Sequence, residues 1–279
     1  MSASRTRGLL ESVVWHALLI VVSLLVLVPI VFLVLGSFKT VQQFFAAPYG
    51  LPQSWTLSNY VRAWQEAAIS TTFPNSVIVT TSSVIISTTL ACLAAYGIAR
   101  FSFRLRTGVR LLFVGGLVVP VQLIMLPLFV LLREIGALGT LPGLIIAYSV
   151  FGIPLGVLIL VGFFATLPRD LEDAARIDGA SHFRVFLDVM LPLMRPALAA
   201  VVILNGVWMW NDFFIALILS TRPDTHTLPV GIINFYGTYS TEWGLIFANV
   251  TISLLPVLLA YVALSRQFIS GLTAGAVKG

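Results

Sequence analysis

The sequence predicts an all-α membrane protein that crosses the bilayer six times, and three observations predict it. Of its 279 residues, 58% are hydrophobic and 10% charged, against roughly 25% charged in soluble domains. Charge-free runs recur at 12–38, 67–99, 111–132, 135–168, 196–211 (continuing past Asp212 to 221) and 243–265. They match the ~20 residues needed to cross hydrocarbon. They are also apolar around the whole helix circumference, unlike a helix that covers a soluble core. Lastly, the basic residues between the runs are divided unequally between the two sides.

The first span is expected at about 13–35. Arg5 and Arg7 ahead of it are also how a secretory signal begins, but a charge-free run of 27 residues exceeds the ~7–15 of a signal core. The span is therefore read as retained. The connection 36–76 is the longest between spans and holds Trp55, Tyr60 and Trp64. Tyr60-Val-Arg-Ala-Trp64 sets two rings four residues apart, on one face of a helix lying at the interface. Trp15 and Trp243 stand at span ends, as belt aromatics do. Membrane anchoring and contact with an external partner both account for these rings. Tyr236 and Tyr239, in the connection 222–242, are available to the same external partner.

Span two, about 77–98, is dense in hydroxyls: Thr80, Thr81, Ser82, Ser83, Ser87, Thr88 and Thr89. Hydroxyls bonded to their own helix and hydroxyls lining a wet pathway explain this equally well. Cys92, the single cysteine, lies in this span as a small buried hydrophobe and excludes an internal disulfide. In span three, about 111–132, Pro120 and Pro127 flank Gln122; in span four, about 144–165, stands Gly152-Ile-Pro-Leu-Gly156. Prolines free backbone carbonyls, which must find partners or line a cavity. Broken helices of this kind suit a moving pathway, and the glycines permit close packing. Spans five and six are expected at about 198–220 and 245–264, completing one domain over 1–279 with no linker, low-complexity tract or internal repeat.

Six spans put both termini on one side, together with Arg5, Arg7, Arg100, Arg104, Arg106, Arg110, Arg169, Arg176, Arg184, Arg195, Arg266 and Lys278. Only Lys39, Arg62, Arg133 and Arg222 fall opposite. Twelve against four, in short loops, places both termini in the cytoplasm. The net charge of +5 is thus a matter of topology, and basic residues spread over separate loops do not indicate nucleic-acid binding.

Nine of the 27 charged residues crowd between Arg169 and Arg195, in a cytoplasmic loop of about 166–196. Pro168 suits the first position of a helix, and Asp170, Glu172 and Asp173 complement the dipole of its first turn. Asp178-Gly179 can stop that helix, and Ser181 can cap a second. Two short helices lying across a membrane face are expected, offered to something in the water phase.

These residues resemble the signature of ABC importer permeases: Glu-Ala-Ala, three residues, Gly, nine residues, Ile, one residue, Leu-Pro. Asp173-Ala174-Ala175, Gly179, Val189 and Leu191-Pro192 stand at that spacing, with Asp173 for Glu and Val189 for Ile. Glu172, next in line, offers the longer carboxylate. The ending at 271–279 is similar to that of sugar-importer permeases of the maltose type. The resemblance implies a type I importer architecture in a bacterial or archaeal plasma membrane. It implies a second homologous permease, two ABC ATPase subunits holding ATP and Mg, an extracytoplasmic solute-binding protein and a carbohydrate cargo. It also implies that Leu171, Glu172, Asp173, Ala174, Ala175, Asp178, Gly179 and Ala180 meet an ATPase, whose closure tilts the spans.

Asp212 is the only charge within a span, and an ionised carboxylate there costs ~2.5–3.5 kcal/mol on insertion scales. At the helical repeat, Asn205, Trp208, Met209 and Asp212 share one face, with Asn211 at its edge and Trp210 pointing the opposite way, towards lipid or a partner helix. An aromatic plane beside amide and carboxylate oxygens is chemistry that binds a sugar. A polar knot joining span five to a neighbour is the alternative.

The sequence holds no Gly-x4-Gly-Lys-Ser/Thr, so the chain is not itself a P-loop ATPase. His16, His182 and His226 are scattered, leaving neither a metal cluster nor a catalytic triad. A secondary transporter with Asp212 as proton or cation site is the alternative class. It calls for paired acids or inverted halves, and the chain offers one acid.

Overall fold

In lipid, backbone groups have no water to bond, so long apolar runs close their hydrogen bonds as helices. A computed structural model describes the backbone of residues 2–235 and 241–276, and the side chains of 12–235 and 241–262. The described residues form helices joined by short turns, without a β-strand. The chain divides into two units, Met1–Ile69 with Ile232–Leu254, and Ser70–Gly231 with Leu255–Gly279.

The first unit holds α1 (Ser2–Gly36), α2 (Val41–Ala46), α3 (Ser58–Glu66) and the start of the last helix, which begins at Trp243. The described part of α1 is exposed to Val31, and packing begins at its far end. There a Cβ on Gly36 would run into the Phe247 ring, so glycine permits the close approach. Phe32 meets Phe247 at 5.8 Å, and Phe44 stacks on Trp243 at 5.8 Å. Thr40 and Gln43 form a capping box on α2. Asn59 donates to the carbonyls of Ser37 and Lys39, both at 2.8 Å. Lys39, 2% exposed, donates to Ala47 O and Pro48 O at the end of α2. Burial lowers its pKa from the ordinary 10.5.

The second unit is built on α4 (Ile69–Arg100), α5 (Arg106–Val118), α6 (Val121–Glu134) and α7 (Leu141–Phe164). The charged loop follows as α8 (Asp170–Ile177), α9 (His182–Arg184), a π-helical turn (Val185–Met190) and α10 (Leu191–Leu193). Then come α11 (Arg195–Asn211), α12 (Phe214–Leu219) and α13 (Trp243–Ala276), of which this unit takes the part from Leu255. Small residues bring α4, α7 and α11 together. A Cβ on Gly152 would lie 2.7 Å from Met209 Cε, and one on Gly156 2.7 Å from Ala91 Cβ. The Gly152–Gly156 pattern thus serves the close packing that its spacing predicted.

Among the described residues, four helices are long and apolar enough to cross a membrane alone: Ser12–Gly36, Ile69–Arg100, Leu141–Phe164 and Trp243–Val262. Counting each bent pair as one span brings the total to six. The third expected span is such a pair, α5 and α6 bent by 101°. Pro120 holds the break, because it offers no N–H and pushes Val119 out of the helical region to ψ 119. Pro127, by contrast, is absorbed within α6. The fifth expected span is not one helix to residue 220: α11 stops at Asn211, Asp212 turns extended at ψ 125, and α12 restarts at Phe214. Pro168 is likewise displaced from its expected role, since Arg169 caps α8 and the helix begins at Asp170.

Candidate functional site: the charged loop and the broken fifth span

In α8, Asp170, Glu172 and Asp173 occupy the first turn and Arg176 the last, as the helix dipole favours. The helix ends in a Schellman turn: Gly179 N–H bonds Arg176 O at 2.9 Å and Ala180 N–H bonds Ala175 O at 3.0 Å. Gly179 has φ +84, with nothing within 4 Å of a built Cβ. Its requirement is conformational, since only glycine enters that region without strain. Ser181 Oγ then accepts from Arg184 N–H at 3.3 Å and starts α9.

The outward face of α8 presents Leu171, Asp173, Ala174, Asp178 and, at 87% exposure, Ile177. Ala175 and Ala180 are half-buried against the unit's core. Glu172 faces inward at 4% exposure. Its Oε2 accepts from Tyr96 OH at 3.1 Å, and its Oε1 lies 2.6 Å from Arg100 Nε, a charge contact outside hydrogen-bond alignment. Asp173 has only a 3.9 Å approach to Arg176. The two adjacent acids are therefore placed differently, Glu172 bound inside and Asp173 exposed on the outward face.

The polar face of α11 meets α7. Asn205, 2% exposed, donates to Gly152 O at 3.0 Å, and Met209, 3% exposed, packs over the same glycine. Trp208 meets Tyr148 and Phe151 edge-on at 5.9 and 6.5 Å. Asp212 is half-buried, and its Oδ2 accepts from Tyr148 OH at 2.8 Å, Ile215 N–H at 2.9 Å and Ala216 N–H at 3.4 Å. The carboxylate therefore caps α12 and pins it to α7. Asn211 is exposed and donates to its own Val207 O, and Gln122 is exposed on α6. Of the two settings expected for Trp210, lipid or a helix, the structure has the helix: Trp210 is 8% exposed and edge-on to Phe73 of α4 at 5.8 Å.

A cavity of about 1270 Å³ opens among α4, the π-helical turn, α11 and the middle of α13. Thr80, Thr81, Thr88, Thr89, Trp208, Trp210 and Tyr261 give its mostly apolar wall some polarity. Of the proposed pathway residues only Trp208 lines it; Asn205, Met209, Asn211, Asp212 and Gln122 do not. The hydroxyls of span two divide by face. Ser83 and Ser87 bond backbone carbonyls at 3.3 Å, while Thr80, Thr81, Thr88 and Thr89 are among the residues lining the cavity, the Thr88 hydroxyl itself being buried.

Sequence reasoning passed over Tyr96, Arg100 and Tyr148. Arg100 was counted only for topology, yet Tyr96 and Arg100 stand four apart on one helical face, which was a usable signal. Tyr148 carried none. Tyr236 and Tyr239 lie outside the described residues, as do the side chains of Arg5, Arg7, Arg266 and Lys278.

Residues 87–270 match the family described as "Binding-protein-dependent transport system inner membrane component". The chain is 38% identical to the diacetylchitobiose uptake system permease protein NgcG of Streptomyces coelicolor, over 94% of this chain and 88% of that one. It is 33% identical to the probable starch degradation products transport system permease protein AmyC of Thermoanaerobacterium thermosulfurigenes, over 93% and 94% of the two chains. A crystal structure of a bacterial ABC transporter involved in the import of the acidic polysaccharide alginate superposes with a TM-score of 0.75 at 22% identity. It covers 96% of this chain and 98% of its own, a likeness of fold.

Proposed function

The chain belongs to the inner-membrane components of binding-protein-dependent transport systems, and from that premise we propose that it carries a carbohydrate across the membrane under the drive of partner ATPases. It is an integral, multi-pass transmembrane subunit of an ABC importer, and hydrolysis belongs to a separate subunit. Such a subunit works with a partner permease, ATPases and a solute-binding protein. On our reading the partner permease is homologous, the ATPases are two, with ATP and Mg on them and no cofactor on this chain, and the receptor lies outside. The termini and the charged loop are then cytoplasmic, and the whole chain acts as one permease domain.

The observation that carries the carbohydrate reading is the 38% identity, nearly end to end, to a permease named for diacetylchitobiose. The relative named for starch degradation products agrees in class. The outward face of α8, apolar at Leu171, Ala174 and Ile177 and acidic at Asp173 and Asp178, supports docking of that helix into an ATPase. The cavity supports a route past Trp208, whose indole offers a stacking plane to a sugar ring. Asn205, Met209 and Asp212 support the shape of that wall from behind, by fixing α11 and α12 to α7. Asn211 and Gln122, exposed on α11 and α6, remain open to cargo or the partner permease.

The test is to purify the whole complex with its receptor, identify the retained ligand by mass spectrometry, and measure ATP hydrolysis with and without it. A sugar or polyol that stimulates hydrolysis is expected. A retained amino acid or peptide that does so instead refutes the cargo class.

A further inference from the structure

The helix of the charged loop is fastened to its unit through one buried side chain. Among the residues of α8 only Glu172 is buried. Its two oxygens reach Tyr96 and Arg100, and the Arg100 and Glu172 side chains are only 6% and 5% exposed. Arg100 also donates from Nη2 to Leu167 O at 3.0 Å, the carbonyl just ahead of α8. One guanidinium thus grips both the approach to the helix and the helix itself. Tyr96 and Arg100 share a face on the last turn of α4. The Tyr96 ring is wedged against Phe164 at 5.5 Å and Phe186 at 4.9 Å, so the hydroxyl cannot swing away. Parting the acid from the guanidinium leaves both charges buried and unpaired, which a protein interior resists strongly.

We infer that Glu172, Arg100 and Tyr96 form the joint through which motion of the charged-loop helix reaches span two, with Arg100 and Tyr96 as positioning residues for coupling. The inference rests on the reading of the chain as an ATP-driven permease. An exposed apolar contact can slip; this joint cannot slip without stranding a charge. From the joint α4 runs on to Thr88 and Thr81, which line the cavity, so a displacement of its end alters the cavity wall. Adjacent acids then serve opposite directions, Asp173 towards the ATPase and Glu172 into the membrane bundle.

The test uses the assembled complex in proteoliposomes, with Cys92→Ser and spin labels at Asp170→Cys on α8 and Ile86→Cys on α4. Both positions are exposed, and both lie outside the joint and the cavity lining. With the native joint the interlabel distance should stay constant through the ATP cycle. In E172Q and R100Q it should shift with ATP by more than about 2 Å, the scale of helix displacements in switching proteins. Uptake per ATP hydrolysed should fall about tenfold in each variant, and no further in the double variant, since the two act as one unit. Should E172Q fail to assemble, Y96F carries the test, with the same shift and about a threefold loss of coupling. The proposal is overturned if the native complex itself shifts with ATP as far as the variants do, or if the variants keep normal uptake per ATP. Absence of ATP-driven uptake in the native complex would refute the underlying reading instead.

Discussion

Replacing Asp212 by alanine strips three donors of their acceptor at once. Ile215 N–H and Ala216 N–H lose the cap of α12, a change that costs ~1 kcal/mol. The Tyr148 hydroxyl, on a residue 1% exposed, is left without its partner, at ~1–3 kcal/mol. The total is ~2–4 kcal/mol, about 4–16 °C in melting temperature at ~2–4 °C per kcal/mol for a chain of this class. Asp212→Asn keeps an oxygen in place and forfeits only the charged part of the bonds, ~1 kcal/mol and so about 2–4 °C. Tyr148→Phe combined with Asp212→Ala should be less than additive, because the second change removes a bond already broken. Thermal unfolding of the detergent-solubilised complex measures these three and the Tyr148→Phe single variant, and uptake is measured on the same preparations. If Asp212 holds the fold, uptake follows assembly. A melting temperature unmoved by Asp212→Ala would refute this reasoning. Asp212→Asn that assembles at full stability yet loses uptake would show the carboxylate acting on cargo.

Gly179→Val should leave insertion and assembly intact while lowering uptake per ATP, because φ +84 costs a β-branched residue ~1–2 kcal/mol; Gly179→Asn, which tolerates that region, should retain more coupling. Gly156→Ala should destabilise by ~1–3 kcal/mol, since its Cβ would lie 2.7 Å from Ala91 Cβ. Gly162→Ala, with nothing within 4 Å, should be neutral or stabilising in the same thermal assay. Trp208→Ala should reduce uptake more than it reduces melting temperature, because the indole lines the cavity and is 39% exposed, so much of its surface lies outside the packing against α7. Equal losses in both would assign Trp208 to packing.

The spans were legible because lipid leaves the backbone no choice but helix, and length and hydropathy suffice to read that. The charged loop was legible because its punctuation is chemical: acids at the start of α8, Gly179 at its end and Ser181 before α9 behave as their types dictate. Pro120 announced a break, but a proline marks only where a helix is weak, so Pro127 looked equivalent and was not. The break at Asp212 was hidden by apolar sequence on both sides, and an aspartate that caps a helix reads the same as one that lines a pore. Asn205 and Met209 were placed on the right face, but periodicity cannot say what the face meets; here it is α7 at Gly152. The contacts of Glu172 with Tyr96 and Arg100 join residues more than seventy positions apart, a distance over which a single sequence offers no pattern.

The measurement that bears most directly on the central claim is uptake by the complete complex in sealed proteoliposomes, with receptor and cargo outside and the proton gradient collapsed by an uncoupler. Uptake that requires ATP within the ATPase compartment, ceases when the partner's P-loop lysine is replaced and is indifferent to the uncoupler is the expected result. Uptake driven by an imposed ion gradient without ATP would contradict it.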